Sequence, residues 1–311
     1  MIGLDRLLGG NLGKGYVGIE LSPDGLGLAH VLYSGKGAAQ LSRCEFYSAD
    51  VADDIDGLLV ERVEALKLAR IPCNWVMHPS HYTLLLVESP NVPPEEMHEA
   101  IRWRIKDLVP YNVDDMTLDY FPLPDDGVRS GKKMVYVVAT ETSEIRSIMK
   151  LAKKANIKLT NIDIAELAIR NIVELVAEDE RSIAVVRLRQ GAGSLTLIRG
   201  DQVYLSRQFD IDYNAGLLDD LPEESLILEL QRSLDYYDRQ MGQASPNKIY
   251  MCGENISDDK ITNTMRNSLP GDVQCLVLSD VVTGADNIDD AVAQQCVGAI
   301  GGALRKIGGA A

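Results

Sequence analysis

Few residues of this 311-residue chain stand at spacings that could do covalent or metal chemistry. His78-Pro79-Ser80-His81 puts two histidines close together, but no acidic or cysteine residue sits in the adjacent turn. Zinc needs three or four converging ligands, so no metal site is expected. Ser22 and Cys73 have no identifiable base beside them and do not read as activated nucleophiles. There is no GxSxG elbow, no GxxxxGKS or GxxxxGKT loop, and no GxGxxG after a strand. The five cysteines (Cys44, Cys73, Cys252, Cys275, Cys296) lie far apart without a CxxC pair. That fits small buried thiols in a reducing compartment rather than disulfides. No catalytic residue is expected, and the chemistry left to this chain is binding.

Composition narrows the partners. Hydrophobic residues make up 46% and charged residues 25%, as in an ordinary folded protein. The net charge of −15 disfavours nucleic acid and anionic lipid, since both need local positive charge. Asp5 and Arg6 interrupt the short apolar patch at the N-terminus, so it does not read as a secretory signal. No charge-free apolar run approaches the ~20 residues of a membrane span. The C-terminal CVGAIGGALRKIGGAA comes nearest, yet it is glycine-rich and carries Arg305-Lys306. A cytoplasmic protein is expected, with no direct membrane span and any attachment made through a partner.

The elements that must position a binding surface are legible as two similar runs. Strands are expected over 15–22, 26–33 and 39–47, with turns at Pro23-Asp24-Gly25 and over 34–37. The spacing of Ile55, Leu58, Leu59, Val63 and Leu66 predicts a helix over 54–70, followed by a buried strand over 73–77. Strands over 182–188, 193–199 and 202–210 repeat the order, with Gly200-Asp201 as a tight hairpin turn. Leu226, Leu230, Leu234, Tyr237 and Met241 mark the second helix, and 248–252 the strand after it. The acidic runs 50–56 and 219–224 suit solvated helix leaders. Two copies of strand-strand-strand-helix-strand, about 165 residues apart, indicate a duplicated two-lobed architecture.

Between the copies, strands over 82–88, 116–121 and 134–140 surround a helix over 93–109. Pro93 and Pro94 suit its first turn, and Glu95 and Glu96 its positive end. Met97, Ile101, Ile105 and Leu108 form one apolar stripe; Trp103 falls off that stripe and must be buried elsewhere or offered to a partner. The loop over 122–133 is rich in Pro, Asp and Gly and is expected at an exposed tip. Helices over 144–155 and 164–176, with a strand over 158–162, return the chain to the first lobe.

This order, with Trp103, Pro110, Tyr111 and the strand Leu118-Asp119-Tyr120, resembles the PilM/MshI family of actin-like type IV pilus biogenesis proteins. QRSLDYY at 231–237 and AIGGALR at 299–305 extend the resemblance over nearly the whole chain. It implies an α/β, actin-like (ASKHA) two-lobed fold with a small inserted α+β subdomain. The lobes would be 1–81 with 141–181, and 182–311, with the C-terminal helix packing back near their junction; 82–140 would be the insert. The eroded nucleotide motifs described next point to MshI, of the mannose-sensitive haemagglutinin (MSHA) pilus.

Actin-like proteins hold ATP and Mg²⁺ between their lobes, with a hairpin from each lobe around the phosphates. By the resemblance, Glu20, Ser22, Asp24, Gly191, Gly193 and Gly253 are the candidate nucleotide-binding residues. The family pattern Gly-Ile-Asp-Ile-Gly is here Gly18-Ile19-Glu20-Leu21-Ser22, and the second-lobe aspartate falls at Arg187. Arginine reverses the charge beside a metal-water shell but could pair with phosphate directly. The adenine-side double glycine is reduced to Cys252-Gly253-Glu254-Asn255. ATP with Mg²⁺ could bind, but hydrolysis is not expected.

The resemblance implies a cytoplasmic adaptor that captures the N-terminal tail of a PilN-like single-span inner-membrane protein and couples it to the pilus assembly ATPase. In the family a groove between the first lobe and the insert receives that tail, so Trp103, Pro110 and Tyr111 are candidates to line or shape it. An actin-like ATP-binding protein with weak ATPase or kinase activity is the alternative. A filament-forming protein of the FtsA type lacks a convincing membrane-targeting helix here. The cytoplasmic part of a type II secretion platform also resembles this chain, but adds its own membrane span.

Overall fold

Two five-stranded sheets with the same strand plan and one three-stranded sheet organise the computed structural model, which describes residues 15–33, 39–49, 54–177 and 181–305. The chain runs through β1 (Gly15–Ser22), β2 (Gly25–Tyr33), β3 (Ala39–Ser48), α1 (Ile55–Ala65) and β4 (Pro72–Met77). β5 (Thr83–Glu88), α2 (Met97–Ile105), β6 (Met116–Pro122) and β7 (Met134–Glu141) follow. α3 (Thr142–Lys154), β8 (Lys158–Ile164) and α4 (Ala165–Val176) lead into β9 (Ile183–Arg189), β10 (Ala192–Arg199) and β11 (Gln202–Asp210). α5 (Glu223–Arg239), β12 (Lys248–Gly253), α6 (Asn263–Ser268), β13 (Asp272–Cys275), α7 (Asp290–Gln295) and α8 (Val297–Ala303) complete it. The leader over 1–14, the turn over 34–37, the start of the acidic run at 50–53 and residues 306–311 lie outside the described residues.

The first sheet has the order β3-β2-β1-β4-β8 and the second β11-β10-β9-β12-β13. In each, an antiparallel meander of three strands is extended by parallel strands reached through helices. The inner strands β4 and β9 are almost wholly buried, which is why Trp75-Val76-Met77 and Ile183-Ala184-Val185-Val186 read as apolar runs. The insert has the order β5-β7-β6 and packs α2 on its sheet around Ile101, Ile105, Met116, Leu118 and Val137.

Two helices are shorter than their periodicity predicts. α1 ends at Ala65 rather than 70, because Lys67 turns left-handed at φ 56°. The Leu68 amide then bonds the Val63 carbonyl at 2.9 Å, closing the helix and turning Leu68 into the core. α2 ends at Ile105, and Leu108, 57% exposed, falls off the expected stripe. Pro110 offers no N–H to prolong the helix and disfavours helical geometry at Val109.

α8 is buried along its length against β1, β2, β4 and α4. Its last carbonyls would be orphaned in the core. Asn74 donates to the Gly302 oxygen at 2.8 Å, Asn171 to the Gly301 oxygen at 2.9 Å, and Tyr33 to the Leu304 oxygen at 2.9 Å. Among the described residues no helix is long and apolar enough to cross a membrane.

Candidate functional site

The two large sheets present their first hairpins to one cleft. Gly25, extended to a left-handed φ of 153°, closes β1 on β2, and Gly191, at φ 72°, closes β9 on β10. Side chains two apart on a strand face the same way. Glu20 and Ser22 therefore share a face of β1, and Arg187 and Arg189 share a face of β9.

Glu20 and Arg187 meet in the cleft as a buried bidentate ion pair. Nη1 donates to Oε1 at 2.9 Å and Nη2 to Oε2 at 2.7 Å. Burial pushes the Glu20 carboxyl up, but the charge and hydrogen bonds of Arg187 outweigh it and hold the group below its ordinary range. Arg187 behaves in mirror image: burial pulls its pKa down, and Glu20 raises it further than burial lowers it. Arg189 Nη1 stands 3.9 Å from Glu20 Oε1, too far to hydrogen-bond. Burial and the neighbouring Arg187 charge lower its pKa to about 10. His78 is lowered to about 3 by burial and by Arg189, so it is neutral at physiological pH.

The six residues expected to bind nucleotide are only partly brought together. Glu20, Ser22, Asp24 and Gly253 line one narrow cleft with Arg187 and Gln294. Ser22 is spent on the turn, its hydroxyl bonded to both the amide and the carbonyl of Gly25 at 3.2 Å. Gly253, at φ 123°, passes so close to β9 that a Cβ would lie 1.9 Å from the Leu188 oxygen. Gly193 faces an adjoining cavity, beneath the Phe209 ring. Gly191 serves its turn and lines neither space.

Close to Glu20 the cleft is narrow. Both oxygens of Glu20 already accept from Arg187, and the space beside them is about 20 Å³, room for roughly one water. Among the described residues no three His, Cys, Asp or Glu side chains converge as a metal site would require. Arg187, which stands where the resemblance places an aspartate, is held by Glu20. Its neighbour Arg189 was not singled out in the sequence, although the alternation Val-Arg-Leu-Arg places both guanidinium groups on one face.

A second site lies between the insert and the first sheet. β6 pairs only with β7, and β8 only with β4, so each is a sheet edge with unpaired backbone groups. They flank a groove of about 480 Å³. Thr117, Leu118 and Tyr120 form one wall, and Asn161, Ile162 and Ile145 the other. Arg305, paired with the buried Asp163, stands at the groove, and His98 packs edge-on against Tyr120 at 5.1 Å between centroids. Leu118, Asp119 and Tyr120, the strand motif picked out in the sequence, thus border the groove.

Trp103, Pro110 and Tyr111 do not line it. Trp103 is 57% exposed on α2, where its Nε1 donates to Glu99 at 2.7 Å and Lys106 lies 5.7 Å from its ring centroid. Pro110 is exposed at the end of that helical segment. The Tyr111 hydroxyl bridges Thr83 of β5, at 2.7 Å, and the Ala139 oxygen of β7, at 3.2 Å, so it shapes the insert from within.

A family model described as type IV pilus assembly protein PilM matches residues 86–209. A comparison with curated proteins finds no match. Among solved structures, the chain is similar to a "PilM-PilN type IV pilus biogenesis complex", at 20% identity and a TM-score of 0.72, covering 94% of this chain and 98% of that one. A Bacteroides thetaiotaomicron protein with an actin-like ATPase fold and unknown function matches at 11% identity and TM-score 0.53, over 94% of this chain and 99% of that one. The cytoplasmic domain of EpsL, an inner-membrane component of the Vibrio cholerae type II secretion system, matches at 12% identity and TM-score 0.51, over 77% and 82%. The fold is an actin-like α/β fold.

Proposed function

We propose that this PilM-like chain is a scaffold of type IV pilus assembly that binds the N-terminal tail of a PilN-like single-span inner-membrane protein. The observation that carries this reading is the groove between the edge strands β6 and β8. An extended peptide laid along a sheet edge gains main-chain hydrogen bonds, while pockets for alternate side chains supply selectivity. Leu118, Tyr120, Ile145 and Ile162 offer apolar contact, and the charge of −15 favours a tail carrying Lys or Arg. The solved neighbour is itself named as a PilM-PilN complex, and the PilM family model spans both groove walls.

In this reading the groove lies between the first lobe (1–81 with 141–181) and the insert (82–140), with 182–311 as the second lobe. The exposed face of Trp103 is left for a separate contact, such as the assembly ATPase to which the scaffold would couple the tail. The system would be of the MSHA type, with the chain cytoplasmic and held at the inner membrane by its partner. The buried Glu20–Arg187 pair supports a binding protein rather than an ATPase, since phosphoryl transfer depends on metal and water positioning that this pair displaces.

Co-purification of the tagged chain from detergent-solubilised membranes tests the reading. Recovery of a small single-span protein together with a secretion-type ATPase is expected. A chain recovered alone would contradict it.

A further inference from the structure

The charge of −15 is an average that hides a local excess of the opposite sign. From Ile145 to Ile162 the chain carries no acidic residue but five cations, Arg146, Lys150, Lys153, Lys154 and Lys158. The first four share one stripe of α3 with Met149, because they recur three and four residues apart. Ile148, Leu151 and Ala152 bury the opposite side, while the whole stripe is exposed, Met149 at 56%. Among the described residues none of the five cations forms an ion pair, whereas Arg62, Arg266 and Arg305 are each held by a carboxylate. The turn after α1 abuts the end of α3, where the Arg70 amide donates to the Asn156 oxygen at 3.2 Å, and it adds exposed Lys67 and Arg70. The acidic residues around this face do not balance it. Glu141 and Glu144 precede the stripe, Glu144 bonds His81 at 2.8 Å, and Asp163 is paired with Arg305. Glu61 and Glu64 of α1 are exposed and offset only part of the charge. Lys153 and Lys154 also complement the negative end of the α3 dipole, but Arg146 and Lys150 lie outside its last turn.

We propose that the outer face of α3 rests directly on an anionic lipid surface. The inference deepens the scaffold reading and rests on it for the chain's place at the inner membrane. Ile145 of α3 lines the β6–β8 groove, so a membrane protein's tail seated there brings this face toward the bilayer. Four of the five cations are lysines, compact point charges that suit a fluid, diffuse negative surface; bidentate recognition of a fixed acidic segment favours arginine. Met149, in the middle of the stripe, offers an apolar contact to the headgroup boundary, from which a nucleic-acid backbone would gain nothing. The helix stays docked, because its apolar side already faces the core. Acidic residues more than about 10 Å from the lipid are screened at moderate salt, so the local face decides the sign of the interaction.

The test is co-sedimentation of the full chain with phosphatidylglycerol-containing vesicles and with vesicles of phosphatidylcholine alone, at low and at high salt. The chain is expected to partition onto the anionic vesicles only, and added salt should release it. Each Lys near an anionic surface contributes about fivefold, so Lys150→Gln/Lys153→Gln/Lys154→Gln should lose about a hundredfold. Lys132→Gln, an exposed lysine of the insert, should partition as wild type does. Circular dichroism checks that the variants fold, as substitution of exposed side chains allows. The triple variant should still bind a tail peptide in the groove. Vesicle binding without any tail binding would overturn the scaffold reading and leave this face standing; tail binding without vesicle binding would overturn the lipid contact alone. Equal partition onto both vesicle types, or a triple variant that partitions as wild type does, also overturns it. If the vesicles fail while polyglutamate binds the wild type and not the triple variant, the face belongs to an acidic protein segment and the lipid proposal falls.

Discussion

Arg187 holds Glu20 through both carboxylate oxygens, at 2.9 and 2.7 Å, joining strands 167 residues apart in the chain. The pair ties the first sheet to the second at the bottom of the cleft. Removing one partner strands a buried charge and is expected to cost about 3–5 kcal/mol. Arg187→Met should therefore lower the urea midpoint strongly. The double variant Glu20→Met/Arg187→Met should be closer to wild type than the sum of the single losses, a coupling that a double-mutant cycle reads directly.

The same pair sets an acid limit on stability. Glu20 has a pKa below its ordinary value of 4.5, so its contribution is fully present above pH 4.5. It is lost as pH falls from there through the lowered folded value. Urea midpoints between pH 7 and pH 3 should fall on the acid side, and Glu20→Gln should flatten that part of the profile. An equally steep acid limb in the variant would assign the effect to other carboxylates.

Gly298 of α8 lies against this pair: a Cβ there would stand 2.2 Å from Glu20 Oε2. Glu20 cannot yield without loosening its grip on Arg187. Gly298→Ala is expected to cost about 1–3 kcal/mol, as overpacking in a tight core does. The same change at Gly200, a hairpin turn with open space around its Cα, strains only the backbone. The comparison by chemical denaturation separates the two causes.

Much of the fold is legible in the sequence because its signals are local. Turn residues, apolar runs and helical spacing mark the strands and helices of both sheets without reference to distant contacts. Helix ends were less legible where a non-glycine residue does a glycine's work, as Lys67 does at φ 56°. The sites are less legible still. Glu20 and Arg187 each read as a departure from a nucleotide motif, and only folding reveals that the two departures answer one another. The groove is made by edges of two different sheets, so no short motif encodes it. Trp103 drew notice as an aromatic off the apolar stripe, which said that it was unusual but not which way it would face.

Trp103 now gives a discriminating test. Its ring is mostly exposed, held by Glu99 and Lys106 on its own helix. Trp103→Ala should change stability by no more than about 0.5 kcal/mol, as surface substitutions usually do. If the tail lies in the β6–β8 groove alone, the variant should bind it with wild-type affinity while losing a separate partner. Circular dichroism and fluorescence anisotropy would check both halves of this expectation.

The most direct measurement is the affinity of a labelled N-terminal tail peptide of the PilN-like protein from the same bacterium, for wild type and for Tyr120→Ala and Ile162→Glu. These residues stand on opposite groove walls and are only partly buried, so the fold should survive their replacement. The account predicts saturable binding to the wild type and a loss of at least about tenfold in each variant, equivalent to about 1.4 kcal/mol. Equal affinity in all three proteins, with the fold intact, would contradict it.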